Sequence, residues 1–224
     1  MKNKPDEERD ALTGLLNRRS FDEKLQDGLQ QAEAQSRPLS VALLDLDHFK
    51  RINDSYGHET GDEVLRRVSA VLQGLGDGAY VSRYGGEEFA ILLPGMEREQ
   101  SLLLLEGLRQ QVQNMPPFEE GLAALKTQVT FSGGVASYPI DGSDPNELLR
   151  KADGALYRAK VGGRNKILLA YEERMAPKTV HFTLTQLERL SMLAQEQGLS
   201  EAVLLREALD DLLIKYKHTF LRPR

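Results

Sequence analysis

Residues Ser82–Gly95 read SRYGGEEFAILLPG, two glycines and two glutamates set between runs that favour burial. YVSRY and FAILLPG have strand composition, so the spacing predicts a hairpin with GGEE, Gly85–Glu88, at its tip. Glycine tolerates a positive φ, and on the plainest reading Gly85 and Gly86 make the turn while the glutamates are solvated. A second acidic pair weighs against so plain a role. RPLSVALLDLDHF, Arg37–Phe49, holds a short, nearly continuous apolar run, as expected of a strand covered on both faces. Asp45 and Asp47 interrupt that run where it should leave the sheet, and a carboxylate there is costly without a cation or donor. Hard oxygen ligands from two neighbouring strand ends suit Mg²⁺, with water and substrate phosphates completing its octahedron. The glycines then have a second use, admitting a nucleotide close to the backbone.

Around these two segments the first 175 residues alternate helical and strand patterns. The spacing predicts helices over DALTGLLNRRSFDEKLQDGLQQAEAQ (buried stripe Leu15, Leu16, Phe21, Leu25, Leu29), GDEVLRRVSAVLQGL, REQSLLLLEGLRQQVQNM and DPNELLRKADGALYRAKVGGRNKI. QVTFSGGVASYP and KILLAY read as strands. A boundary falls near Glu173–Lys178, dividing the chain into residues 1–172, a linker 173–178, a small unit 179–217 and a tail 218–224.

The totals bound the possibilities. With 224 residues, 40% apolar and 28% charged, the chain has the composition of a soluble globular protein. It has no cysteine, which excludes disulfides and thiolate metal sites. The polar start MKNKPDEERD has no signal-peptide character, and no apolar run approaches the roughly 20 residues that span a bilayer. The expectation is a cytoplasmic protein without membrane contact. The net charge of −5 argues against general nucleic-acid coating by the whole molecule.

Together these motifs resemble those of GGDEF-domain diguanylate cyclases, in the GGEEF form. RYGGEEF carries the signature, and DALTGLLNRR (Asp10–Arg19), LDLDHFKRINDSYGHETGDEVL (Leu44–Leu65) and ADGALYRAKVGGRNKI (Ala152–Ile167) agree with it in order and spacing. The resemblance covers roughly Asp10–Ala170. It implies an α+β, palm-like domain with a central, mostly antiparallel sheet flanked by helices. It also implies an enzyme that joins two GTP molecules into cyclic di-GMP across a dimer of half-sites. Carried over, Asp45, the Leu46 carbonyl and Glu87 would hold Mg²⁺ (or Mn²⁺), Glu88 would stand close enough to share a second ion, and Glu87 would be the proton acceptor for the attacking 3′-hydroxyl. Phe49 and Lys50 would meet the phosphates after the strand end, and Lys160 and Arg164 would clamp the triphosphate.

Base choice would rest on Asn53 and Asp62. A carboxylate accepts from guanine N1–H and N2–H₂, a donor pair that adenine lacks, so Asp62 favours GTP over ATP and over a mixed cyclic dinucleotide. Taken alone, Asp62 reads first as a helix N-terminal acid favoured by the dipole; its register with Asn53 and the Gly57-His58 turn is what favours the base contact. For His58 a turn or capping role stands beside a ribose or base contact. Many family members carry an inhibitory Arg-x-x-Asp pair ahead of the signature; Gly76 and Ala79 occupy those positions here. The expectation is a cyclase without that form of product inhibition.

The C-terminal segment, Lys178 to about Tyr216, resembles a ribbon-helix-helix domain. TVHFTLT alternates with Val180, Phe182 and Leu184 on one face, Thr185–Glu188 fits a helix-capping box, and two apolar-striped helices meet near Gly198. Such a β-α-α unit pairs with a second copy, which makes residues 179–217 a homodimerisation element with DNA binding as a second possibility. The outward strand residues would be Thr179, His181 and Thr183, none of them cationic. The other reading of the segment is a helical appendage on the main domain. The competing function is a DNA-binding regulator whose first domain only senses GTP or cyclic di-GMP.

Overall fold

The structure is a computed structural model that describes residues 8–76, 78–116, 128–170, 179–197 and 200–215. These divide into two compact units, Met1–Glu173 and Arg174–Arg224. The boundary segment 173–178 and the tail 218–224 lie outside the described residues.

In the first unit a five-stranded sheet has β1 (Leu39–Leu46) at its centre, with β2 (Tyr80–Arg83), β3 (Glu88–Pro94), β4 (Phe131–Tyr138) and β5 (Ile167–Leu169) in the order β2-β3-β1-β4-β5. β1 runs antiparallel to both β3 and β4, β2 antiparallel to β3, and β5 parallel to β4, so the sheet is mostly antiparallel as expected. Alternation along β1 sends Leu39 and Val41 to one face and Ala42, Leu44 and Leu46 to the other. The first set packs with Phe21, Leu25 and Leu29 of α1 (Arg18–Gln35) and with Leu148 and Ala152 of α5 (Pro145–Val161). The second packs with α2 (Phe49–Tyr56), α3 (His58–Gln73) and α4 (Arg98–Gln113) through Phe49, Val64 and Leu105. Gly134 in β4 lets α5 approach closely, since a Cβ there would overlap the Ala152 carbonyl, while a Cβ on Gly133 would overlap Leu44 and Ile167 on the other face.

Three sequence expectations need correcting. The first helix starts at Arg18, not Asp10: the Asp10 carboxylate accepts from the Thr13 amide and hydroxyl at 2.9 and 2.7 Å, closing a turn, and Asn17 caps α1 through the Ser20 amide. Leu16 consequently lies against β2, bridged to Ser82, rather than on the helix stripe. A helix not foreseen, α2, fills the ground after Asp47, and α3 begins at His58, three residues before the expected start. The hairpin forms, but neither Gly85 nor Gly86 has a positive φ among the backbone outliers. A Cβ on Gly85 would meet the exposed Glu88 carboxylate and make it swing aside.

The second unit consists of α6 (Leu184–Gln197) and α7 (Glu201–Lys215). Residues Thr179–Thr183 form no strand, and Leu184, expected on the strand face, opens α6. The capping box sits two residues earlier than expected. The Gln186 amide donates to Thr183 Oγ1 at 3.3 Å and the Thr183 amide to Gln186 Oε1 at 3.0 Å. A lone strand has no ladder partner within one chain, so its residues are left to the cap. The Gly198 turn falls outside the described residues.

Candidate active site

The site is built where β1 and β3 end together. Asp45 stands opposite Glu88 in the antiparallel register, and the Leu46 amide donates to the Glu87 carbonyl at 3.2 Å. Two carboxylate-bearing strand ends are therefore fixed side by side by the ladder. Lys160, in the last turn of α5, brings its Nζ to 2.7 Å from Asp45 Oδ2. Asp45 is buried, Glu87 half-buried and Glu88 exposed.

Electrostatics make the cluster want positive charge. Burial raises the Asp45 pKa above the ordinary aspartate value, aided by Asp47 and opposed by Lys160 and Arg164. Burial also raises Glu87, with the Asp45 and Glu88 charges adding to it and Lys160 opposing it. Among the described residues no three His, Asp or Glu side chains converge into a ready-made metal cage. Mg²⁺ needs only one or two protein carboxylates, with substrate phosphates and waters as its other ligands. Asp45, Glu87, Glu88 and the Leu46 carbonyl are hard oxygen donors of the right kind.

Phe49 and Lys50 open α2, whose N-cap His48 is left-handed and makes no side-chain cap bond. The first amides of that helix are thus not taken by a capping side chain and suit an anion. Asn53 follows one turn later. Its Oδ1 is buried without a hydrogen-bond partner and rests against Gly61, where a Cβ would overlap it. Asp62, half-buried, follows Gly61 in the first turns of α3. His58 is exposed at the first position of α3. Arg164 lies just past α5 in a left-handed turn, close enough for its charge to act on Asp45.

Gly76 follows α3 with a φ of 76°, and Ala79 packs partly buried against the core. Neither offers a group for a guanine edge or phosphate. A groove of about 700 Å³ between α1 and α5 shares only Glu88 with the site residues. Sequence reasoning gave no role to Arg83, and marked Asp47 only as one of the two acids at the end of the strand. Arg83 bridges the Asp10 carboxylate at 3.3 Å and the Gly86 carbonyl at 2.8 Å, tying the N-terminal turn to the hairpin tip. Asp47 accepts from Ser132 and Thr130, residues more than eighty positions away, which no local pattern reveals.

A family model described as diguanylate cyclase, GGDEF domain, matches residues 7–166. The chain is 42% identical over 163 residues to diguanylate cyclase DgcM of Escherichia coli K12, and 38% identical over 163 residues to diguanylate cyclase DgcP of Pseudomonas aeruginosa. Each match covers 72% of this chain, but 38% and 24% of those proteins' own lengths. It is also 40% identical over 157 residues to a P. aeruginosa protein named cyclic di-GMP phosphodiesterase NbdA. Among solved structures, the GGDEF domain of DgcB from Caulobacter crescentus in complex with c-di-GMP superposes with a TM-score of 0.70 at 34% identity, covering 77% of this chain and 98% of that one. The active GGEEF domain of a Vibrio cholerae diguanylate cyclase gives 0.66 at 34% identity, covering 71% and 99%.

Proposed function

The chain belongs to the GGDEF family of diguanylate cyclases, and on that footing we propose that it condenses two GTP into cyclic di-GMP and two pyrophosphates. Because the similarity extends to a protein named as a phosphodiesterase, the reading rests on the site's own residues. The observation that carries it is the pairing of Asp45 with the Glu87–Glu88 strand end beneath the Lys160 ammonium.

In this reading Asp45, the Leu46 carbonyl, Glu87 and Glu88 hold Mg²⁺ or Mn²⁺. When bound, the ion acidifies the attacking hydroxyl and offsets charge on the leaving group. The chain's own groups do the rest. Asn53 and Asp62 orient guanine through its O6 side and its N1–H and N2–H₂ donors, with His58 beside them. The α2 amides at Phe49 and Lys50, the Lys50 side chain, Lys160 and Arg164 neutralise and align the triphosphate. The 3′-oxygen of one GTP attacks the α-phosphorus of the other, its proton passes to the Glu87 carboxylate, and the bond to pyrophosphate breaks. The reciprocal attack closes the ring, so two copies must face one another.

The C-terminal unit is read as the element that brings copies together, in ribbon-helix-helix fashion. In support, Val180, Phe182, Leu184, Leu187, Met192, Leu193, Leu209 and Leu212 are exposed, more apolar surface than two short helices keep in water. Pairing through 179–217 would cover it and raise the effective concentration of half-sites.

The test is incubation with GTP and Mg²⁺ followed by nucleotide chromatography, for the full chain and for a form ending at residue 175. Cyclic di-GMP from the full chain supports the cyclase. Undiminished specific activity of the short form at low protein concentration would remove the dimerisation role alone.

A further inference from the structure

Past α5 the chain makes three consecutive left-handed residues, Gly163 at φ 111°, Arg164 at 62° and Asn165 at 48°. Two of the three carry side chains in a region that L-residues avoid, so surrounding contacts must hold them there. Those contacts come from two directions. The buried Asp47 carboxylate accepts the Asn165 amide at 3.0 Å, while Thr130 Oγ1 at 2.8 Å and Ser132 Oγ at 2.7 Å fix the carboxylate itself. From α4, Arg109 donates to Asn165 Oδ1 at 2.7 Å, and Asn165 Nδ2 donates to Gln113 Oε1 at 3.3 Å. Arg109 is in turn held by Glu106 at 2.7 Å, whose other oxygen accepts the Ile167 amide at the start of β5. Arg164 sits between these anchors, its own amide bonded back to the Ala159 carbonyl at 2.9 Å.

We propose that Asp47 and Asn165 are positioning residues, which lock the turn so that the Arg164 guanidinium is preset for the triphosphate. Neither touches the substrate. Asp47 is two residues past Asp45, so one strand end sets both the carboxylate for the cation and the anchor for the arginine. The inference rests on the reading of Arg164 as a phosphate clamp. A fixed turn matters because the backbone that carries the guanidinium then loses no freedom of its own when the arginine binds phosphate.

Steady-state GTP turnover of the full chain tests it, with wild type, Arg164→Ala, Asn165→Gly and the double variant, each checked for its thermal midpoint. Glycine keeps the left-handed backbone and removes only the side-chain tether. Arg164→Ala should raise KM for GTP about tenfold or more, and Asn165→Gly about fivefold with kcat within about twofold. The double variant should be no worse than Arg164→Ala alone, because a loosened turn has no arginine left to misplace. Gln113→Ala, on α4 and away from substrate, should show a smaller rise of the same kind and serves if Asn165→Gly melts early. An unchanged KM in both tether variants, or a tether penalty that persists in full without Arg164, overturns the positioning role. If Arg164→Ala itself leaves KM unchanged, the clamp reading fails and takes the proposal with it.

Discussion

Lys160 holds its ammonium 2.7 Å from a carboxylate oxygen of Asp45, a side chain only 8% exposed at the end of the central strand. The lysine occupies the ground where Asp45 and a cation would meet. It opposes the burial that raises the Asp45 pKa, more than any other neighbouring group. Replacing it with methionine should drive that pKa further up and shift the acid limb of the rate-against-pH profile to higher pH. It should also reduce kcat/KM for GTP by about 10–100-fold, as expected for losing a charge-assisted contact. A pH–rate series on Lys160→Met checks both.

Glu87 gives a prediction in which activity and stability move in opposite directions. Its pKa is raised in the folded chain, so the folded state binds the proton more tightly than the unfolded one. The resulting stability is present below the ordinary value of 4.5 and is lost as pH rises through the raised value. At neutral pH the ionised side chain therefore opposes folding. Glu87→Gln should lower turnover on the order of 10²–10⁴-fold while raising the thermal midpoint in metal-free buffer at pH 7. Calorimetry beside a turnover assay measures the two together.

Guanine selection makes a third. Asp62→Ala should cost GTP about 10–100-fold in kcat/KM, the range of a hydrogen bond to a charged group, and leave ATP where it was. Gly61→Ala should act in the same direction by a different route, because the added methyl overlaps Asn53 Oδ1. Competition between GTP and ATP reads both variants. A fall shared equally by the two nucleotides would place these residues outside base recognition.

Much of this site was legible in the sequence, for reasons particular to each segment. The β1 run from Leu39 to Leu46 is apolar except at Ser40 and Asp45, and a central strand buried on both faces leaves that trace. The hairpin was legible because strand-like runs flank its four-residue tip. α2 was not. It has eight residues with only Phe49 and Ile52 buried, too few for a helical period to stand out. Asp10–Asn17 misled for the opposite reason: Leu12, Leu15 and Leu16 mimic a helical stripe, but side-chain bonds from Asp10 and the Leu16 bridge to Ser82 hold a turn. The roles of Asp47 and Arg83 depend on partners brought together only by the sheet.

Product feedback offers a fourth test. Gly76 sits in a left-handed turn and Ala79 against the core, so the stretch before β2 has no arginine–aspartate pair to seize a guanine edge. Added cyclic di-GMP should leave initial rates unchanged at saturating GTP. Inhibition that is independent of GTP concentration and is abolished by substitutions in residues 76–79 would reverse this conclusion.

In the proposed site the Asp45 and Glu87 carboxylates grip one divalent cation on a bound guanosine triphosphate. A crystal structure with Mg²⁺ and a non-hydrolysable GTP analogue tests this without reference to rates. A cation is expected at about 2.0–2.1 Å from oxygens of both residues, with Lys160 moved from Asp45 to a phosphate. Finding the nucleotide bound while Lys160 still pairs with Asp45, and no cation between Asp45 and Glu87, would contradict it.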